Sequence, residues 1–136
     1  MPGAHRWPMT VPRTPTRAEI GALGEKLAVA HLQDDGLQIL DRNWRCRYGE
    51  LDVVAERESE TGRATLVFVE VKTRTGDGYG GLAEAVTPVK LRRLRRLAGL
   101  WLRDHDGCWS AVRIDVVGVR LHRDGTAAIN HLRAVG

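Results

Sequence analysis

The chain has 136 residues, a formal net charge of +4 at pH 7 and a sequence pI near 9.6. A chain of this length forms one domain and buries roughly two-thirds of its unfolded surface, enough for a core without disulfides. Two cysteines are too few for a disulfide framework, which predicts that Cys46 and Cys108 are free thiols of a cytoplasmic protein. We expect no signal peptide and no membrane span, because no apolar run approaches ~20 residues. The basic charge favours an anionic partner.

The N-terminal third predicts a leader and a helix. Residues 1–15 contain four of the five prolines and show no periodicity, so we expect a disordered leader before one domain over residues 16–136. A capping box over Thr16–Glu19 predicts a helix that runs to Gly36. Glu25 lies off the apolar stripe of this helix. Its carboxylate either pairs with a basic residue on the surface or reaches the acidic centre of Asp52 and Glu70. The stripe consists of Ile20, Leu23, Leu27, Ala30 and His31.

Residues 38–47 alternate apolar and basic side chains, which predicts a first strand that turns at Tyr48-Gly49 into the next strand. The basic residues of this strand either form a solvated face or follow the phosphates of a nucleic acid. Trp44 and Tyr48 could then stack on exposed bases. The basic residues are Arg42, Arg45 and Arg47.

The most informative stretch is residues 48–74, where two apolar runs flank a polar loop and so predict two strands of a hairpin. Side-chain alternation places Glu50 and Asp52 on one face of the first strand. The same alternation places Glu70 and Lys72 on one face of the second strand, which is apolar on both faces before Glu70. Charged groups at the end of a buried strand are costly unless they are paired or bind a metal ion.

A metal site explains this arrangement. Asp52 and Glu70 would converge with the backbone carbonyl of Val71, and such oxygen ligands suit Mg²⁺ or Mn²⁺, which activates water for attack on a phosphate. Lys72 would position that water and stabilise developing negative charge. Glu50 is a further candidate ligand or an outer partner of Asp52.

A glycine-rich loop and a second helix follow. Residues 74–81 contain four glycines and predict a loop that closes on a substrate or makes a plain turn, with Arg74 a candidate for nucleic-acid contact. Thr87 and Pro88 predict the start of the helix. Its basic face either binds nucleic acid or is solvated. That face contains Arg92, Arg95, Arg96 and Arg103.

Lysine is used sparingly in this chain. Only three of the 21 basic residues are lysines, so arginine serves nearly wherever either residue would. Lys90 lies on the apolar side of the second helix and needs a carboxylate partner, which the acidic centre would supply. Two of the three lysines, Lys72 and Lys90, therefore fall at the predicted site.

The C-terminal part predicts a strand over residues 111–120 and a last strand over residues 126–132, separated by a turn. Asp115 inside the first of these strands pairs with Arg113 or with an arginine of a neighbouring strand. The predicted fold is α/β, with a mixed central sheet of about five strands, flanking helices and the order α-β-β-β-α-β-β. The first three strands form an antiparallel meander, and the crossover through the second helix makes the next strand parallel to its neighbour.

Five motifs in this order resemble the small bacterial YraN family. Asp52 and Glu70-Val71-Lys72 match the PD-(D/E)xK nuclease superfamily, and YraN proteins resemble its archaeal Holliday-junction resolvases. The resemblance implies a restriction-endonuclease-like fold and a magnesium-dependent endonuclease of structured or branched DNA, acting in repair or recombination. It also implies that Glu25 completes the site, and it allows an accessory role for Asp115. The motifs are Gly24-Glu25, Tyr48-Gly49-Glu50-Leu51-Asp52, Val69-Glu70-Val71-Lys72-Thr73-Arg74, Glu84-Ala85-Val86-Thr87-Pro88 and Ile114-Asp115-Val116-Val117.

Two alternatives to an endonuclease are open from the sequence. One is a non-catalytic nucleic-acid-binding module on a nuclease scaffold, against which the intact Asp52, Glu70 and Lys72 argue. The other is a protein-interaction module whose acidic and basic residues form a buried ionic network. For a nuclease of two-fold symmetric junctions we expect a homodimer.

Overall fold

The computed structural model of the protein describes residues 15–60, 62–76, 81–82 and 86–136, and the backbone of residues 5–6. The order α-β-β-β-α-β-β predicted from the sequence is confirmed. The described elements are β1 (His5–Arg6), α1 (Arg17–Asp34), β2 (Gln38–Cys46), β3 (Gly49–Ser59), β4 (Gly62–Thr75), α2 (Pro88–Asp104), β5 (Ala111–Leu121) and β6 (Thr126–Leu132).

The described strands form one mixed sheet in the order β1-β6-β5-β4-β3-β2. β2, β3 and β4 are an antiparallel meander, and the crossover through α2 brings β5 parallel to β4. β6 then returns antiparallel to β5. β4 therefore lies inside the sheet, and its residues 66–69 are buried, as their unbroken apolar run predicts.

The N-terminal segment adds a short edge to the sheet. Most of the predicted leader, residues 1–15, lies outside the described residues, as do residues 77–80 of the predicted glycine-rich loop. Within the leader, the backbone of His5–Arg6 pairs with β6 and adds a two-residue strand to the five that the sequence predicts.

None of the helices in the described ranges has the length and apolarity that crossing a membrane requires.

The hairpin of β3 and β4 is longer than the sequence predicts. β3 continues to Ser59 and β4 begins at Gly62, so the polar segment that we expected as a loop is mostly strand. Its polar side chains have partners that hold them in the sheet. Glu56 accepts a hydrogen bond from Trp109 Nε1 at 2.9 Å, and Arg57 forms an ion pair with Asp35 at 2.8 Å.

The two helices cover opposite faces of the sheet. α1 packs on one core cluster and α2 packs on another. Both helices begin at side-chain caps, Thr16 for α1 and Thr87 for α2, and Gly36 follows the end of α1 with a left-handed φ of 91°. The α1 cluster includes Val53, Val69 and Val117, and the α2 cluster includes Leu51, Phe68 and Trp101.

α1 approaches the sheet most closely at Gly24, which differs from the predicted packing. Ile20, Leu23 and Leu27 of the predicted stripe are only partly buried, whereas Gly24 is buried. A Cβ on Gly24 would overlap the side chain of Thr73 in β4, so only glycine permits this contact. The close approach brings Glu25, the next residue of the helix, to the cleft at the start of β3 and the end of β4.

We predict that Gly24→Ala destabilises the protein by roughly 1–3 kcal/mol, because β-branched Thr73 cannot yield without moving the helix. Gly21→Ala is the matched control, since a Cβ there would meet nothing within 4 Å. We expect this control to stabilise the protein by roughly 0.5–1 kcal/mol through helix propensity. Urea unfolding measures both changes, and an equal stabilisation by the two substitutions would contradict the packing.

Candidate active site

Asp52 lies where β3 departs from regular alternation. Leu51 packs in the α2 cluster and Val53 in the α1 cluster, although residues two apart share a face in a regular strand. β2 breaks at the same level, because Trp44, opposite Leu51, also packs towards α2 and Asn43 has a left-handed φ of 51°. The break leaves the side chain of Asp52 in a cleft beside α1.

The Asp52 carboxylate replaces a backbone partner of β4. The ladder between β3 and β4 runs as far as the pair Val53 and Val69. Beyond it, the N–H of Val71 donates a hydrogen bond of 2.8 Å to Asp52 Oδ2. The carbonyl of a strand residue lies on the same edge as its N–H, so the Val71 carbonyl predicted as a ligand faces this gap as well.

Three further carboxylates surround Asp52, and each forms an ion pair with an arginine. Asp52 itself has no ion pair within the described part of the chain. Since the arginine side chains of these pairs are 45–78% exposed, each pair stabilises the protein by no more than about 1 kcal/mol. The pairs are Glu25 with Arg42 at 3.4 Å, Glu50 with Arg45 at 3.0 Å and Glu70 with Arg93 at 3.5 Å.

The surroundings of Asp52 disfavour its negative charge. The pKa of Asp52 is raised from 3.8 to about 6, with burial as the largest cause and the hydrogen bond from Val71 opposing it. The nearby negative charges of Glu70, Glu25 and Glu50 contribute to this rise. At neutral pH the carboxylate is therefore ionised at a cost that a bound cation would offset.

The cleft around Asp52 has a volume of about 1050 Å³ and joins α1 to β2, β3 and the end of β4. Glu25, Glu50 and Lys72 line it together with Asp52. The Glu70 side chain is not part of this lining and turns towards α2, where it meets Arg93. Four arginines complete the charged wall of the cleft: Arg17, Arg42, Arg45 and Arg74.

The donor set fits a hard divalent cation, because carboxylate and carbonyl oxygens are the ligands such ions prefer. The carboxylates are not gathered into a coordination shell, however. Over the ranges that the structure describes, no three His, Cys, Asp or Glu side chains are arranged to hold a metal ion. Arginines hold Glu25, Glu50 and Glu70 instead.

Glu70 of the acidic centre forms its ion pair with Arg93 and not with Lys90, the partner that the sequence suggested. Lys90 forms no ion pair with a described carboxylate, and its backbone N–H bonds to the Thr87 cap. Arg93, nearly one helical turn later, reaches Glu70 at 3.5 Å. Arg93 is not among the residues predicted from the sequence, although its i+3 spacing from Lys90 places the two residues on neighbouring parts of the helix surface.

Asp115 belongs to a separate buried network. Arg113 binds it through two hydrogen bonds of 3.0 and 3.1 Å, His131 Nε2 donates at 2.7 Å and the N–H of Ala134 at 2.9 Å. Burial, the largest effect, raises the pKa of Asp115, but the hydrogen bonds from His131 and Arg113 outweigh it and lower the pKa overall. His131 in turn lies 3.0 Å from His31 of α1, so the network ties α1 to β5 and β6. Asp115 pairs with Arg113, one of the partners that the sequence suggested, and does not line the cleft.

A cationic patch lies beside Glu70 on the α2 side, and we call it the arginine patch. Arg96 stacks on the ring of Tyr48 at 3.9 Å, with Arg47 at 5.2 Å from the same ring. Tyr48 is exposed, whereas Trp44 packs into the α2 cluster and is no stacking platform. Arg95 is exposed on the same helix but lies outside the patch. The patch consists of Arg47, Tyr48, Arg92, Arg93 and Arg96.

We predict that Asp52→Asn stabilises the protein at pH 7.5 in chelator, by at most about 3 kcal/mol for a shift from 3.8 to about 6. Because the folded pKa lies above the unfolded one, the native state binds more protons in this window. The stability of the wild type therefore falls as pH rises from about 4 to 6 relative to the variant. The substitution removes the titrating group but keeps a side-chain oxygen that can accept the hydrogen bond from the Val71 N–H.

Urea unfolding across this pH range measures the difference between the two proteins. Glu58→Gln, at an exposed position of the same strand, is the control and should change stability by less than about 0.5 kcal/mol. A loss of stability in Asp52→Asn at pH 7.5 would contradict the assignment of a destabilising charge.

Comparison with known proteins places the chain in a family. The family model described as Uncharacterised protein family UPF0102 matches residues 24–119. A UPF0102 protein of Mycobacterium ulcerans (strain Agy99) is 65% identical over 124 residues, which are 91% of this chain and 99% of that protein. A UPF0102 protein of Mycobacterium tuberculosis (strain ATCC 25177 / H37Ra) is 60% identical over 131 residues, covering 94% of this chain and 100% of that protein.

One solved structure is similar at a lower level. It is titled "The structure of Pyrococcus Furiosus SfsA in complex with Ca2+", is 14% identical and has a TM-score of 0.35. The match covers 83% of this chain and 62% of that chain, and a similarity this weak carries no argument about function. The family matches confirm the resemblance seen in the motifs, and the chain belongs to the UPF0102 (YraN) family.

Proposed function

We propose that the protein is a metal-dependent endonuclease that hydrolyses phosphodiester bonds in structured or branched DNA. The observation that carries the proposal is the position of Asp52, largely buried, among three other carboxylates and in the same cleft as Lys72. A largely buried carboxylate among like charges is costly, so its presence in a large cleft calls for a cationic ligand.

Asp52 and Glu70 would hold a magnesium or manganese ion together with the Val71 carbonyl, and Glu25 and Glu50 are further ligands or outer partners. Such an ion supplies an activated water and neutralises charge on the phosphate when it is bound. Glu70 is free to turn towards Asp52 because its pair with Arg93 is long, at 3.5 Å, and Arg93 is 55% exposed.

Lys72 would supply a positive charge for the phosphate in the cleft that also contains Asp52. This residue is partly buried, lines the cleft and forms no ion pair among the described residues. Three N–H donors on a compact charge can hold a non-bridging phosphate oxygen and the attacking water. Stabilisation of the negative charge that develops on the phosphate is the main catalytic contribution expected of such a group.

The arginines around the cleft would bind the flanking phosphates. Arg42 and Arg45 pair with carboxylates of the site, and their exposed guanidinium groups can exchange these partners for phosphates at little cost. The arginine patch extends the cationic surface from Glu70 along α2, and Tyr48 within it can stack on an unpaired base. We expect a homodimer for a substrate with two-fold symmetry.

A non-catalytic nucleic-acid-binding module is the second candidate. It is favoured by the arginine pairing of Glu25, Glu50 and Glu70, which balances the acidic charge without a metal ion. Cleavage separates this candidate from the nuclease.

We predict metal-dependent cleavage of labelled four-way junction or flap DNA, with slower cleavage of single strands and linear duplex. Glu70→Gln and Lys72→Met should each reduce the rate by about 100-fold or more, because each removes a charge that acts on the reacting phosphate. Rates are measured with magnesium, manganese or chelator, and folding is checked by circular dichroism.

Glu58→Gln is the control, since this exposed residue of β3 lies outside the site and should cut at the wild-type rate. Cleavage that persists in chelator or in both site variants would contradict the proposal. Salt-sensitive binding of DNA without cleavage would support the binding module, and absence of both would support a protein-interaction module.

A further inference from the structure

We propose that a second cavity, on the far side of Lys72 from the acidic centre, binds one nucleotide of an unpaired strand. The inference rests on the proposed function and deepens it, because it names the part of the substrate that continues beyond the cleaved phosphate. We call this cavity the nucleotide pocket. It has a volume of about 240 Å³ and lies at the ends of β4, β5 and β6.

The register of three strands creates the pocket. Lys72, Gly118 and Asn130 are partners in one row across β4, β5 and β6. The next row that faces the same way contains Arg74, Arg120 and Ala128. Glycine in the first row and alanine in the second leave a hollow between longer side chains. Leu82 covers part of it, since a Cβ on Gly118 would lie 2.9 Å from Leu82 Cδ1.

The charge of the pocket suits a phosphate. Lys72, Arg74 and Arg120 line it, and no Asp or Glu does so among the residues that the structure describes. Arg120 is held in place by a hydrogen bond of 3.1 Å from its Nη1 to the carbonyl of Gly76. Three cations around one hollow attract a phosphate far more strongly than a neutral ligand.

The rest of the lining suits the nucleoside attached to that phosphate. Leu82 offers apolar surface to a sugar or a base, and the amide of Asn130 offers a donor and an acceptor to a base edge. An inorganic anion would use only the cations. The mixed lining therefore favours a nucleotide over a bare phosphate.

The size of the pocket selects an unpaired strand. At about 240 Å³ it is smaller than the roughly 300–1,000 Å³ of pockets for drug-sized ligands, so it holds one nucleotide. A paired base would have to leave its duplex to enter, which costs a few kcal/mol of unstacking and unpairing. A nucleotide that is already unpaired enters without that cost.

Lys72 and Arg74 connect the pocket to the acidic cleft, because both residues line both cavities. Residues two apart on a strand are roughly 6.6 Å apart, a separation comparable to that of neighbouring phosphates in an extended single strand. A strand that places one phosphate beside Asp52 thus reaches the nucleotide pocket with the next one. The preferred substrate is DNA with an unpaired segment next to the cleavage site.

We predict that substitutions of Ala128 weaken the binding of DNA with an unpaired overhang. Ala128 is exposed, so Ala128→Leu fills the pocket and Ala128→Glu adds a repelling charge with little effect on folding. Anisotropy of a labelled overhang duplex, titrated in chelator, should show a loss of about fivefold for the first and about tenfold for the second. Blunt duplex should bind the wild type more weakly than the overhang does and should be nearly unaffected by either substitution.

Ala111→Leu and Ala111→Glu are the matched controls, because Ala111 is also exposed on a strand but lies at the other end of β5. We expect their affinities to stay within about twofold of the wild type. Equal losses at both positions, or no loss at Ala128, would overturn the proposal. Competition by thymidine monophosphate should exceed that by inorganic phosphate, and equal competition would also overturn it by reducing the pocket to a simple anion site.

Binding in chelator separates this inference from the nuclease. If the protein does not cleave DNA but the Ala128 effect is present, the nucleotide pocket is supported and the nuclease is rejected. If DNA is cleaved and the Ala128 variants bind and cut like the wild type, the nuclease is supported and the pocket is rejected.

Discussion

The hydrogen bond from the N–H of Val71 to the carboxylate of Asp52 connects the sheet to the candidate site. β3 changes the face of its side chains at Asp52, and the carboxylate satisfies the backbone group of β4 that the strand no longer pairs. An unpaired buried N–H would cost about 1–3 kcal/mol, so the sheet holds this acidic side chain in a largely buried position. The same bond fixes Asp52 beside Lys72, and a cavity lies on each side of that lysine.

The carboxylates of the site differ in whether an arginine balances their charge. Glu25, Glu50 and Glu70 each pair with an exposed arginine, whereas no described cation pairs with Asp52. Under the proposed function a metal ion would take the carboxylates, and the arginines would turn to phosphates because their exposed pairs are weak. Binding of the metal and of DNA would then favour each other, since each takes one half of the same ion pairs.

The order of the elements could be predicted from the sequence because each of its signals is local. Capping residues mark both helices, and the apolar run before Glu70 marks an inner strand. Convergence of the acidic residues was predicted from strict alternation, which fails at Asp52. Its failure depends on the left-handed Asn43 and on which helix covers Leu51 and Val53, and both are tertiary properties.

Three other features could not be predicted from local sequence patterns. The buried face of α1 depends on the contact between Gly24 and Thr73, residues of elements that are not adjacent in the chain. The cationic partner of Glu70 is Arg93 rather than Lys90, a difference set by where α2 crosses the sheet. The nucleotide pocket arises from the register of β4, β5 and β6, which alternation within one strand cannot supply.

The most direct test of the account is the binding of Mn²⁺ followed by electron paramagnetic resonance, comparing the wild type with Asp52→Asn and Glu58→Gln. We predict a bound ion in the wild type and in Glu58→Gln that is lost in Asp52→Asn; equal binding by all three proteins, or none by the wild type, would contradict it.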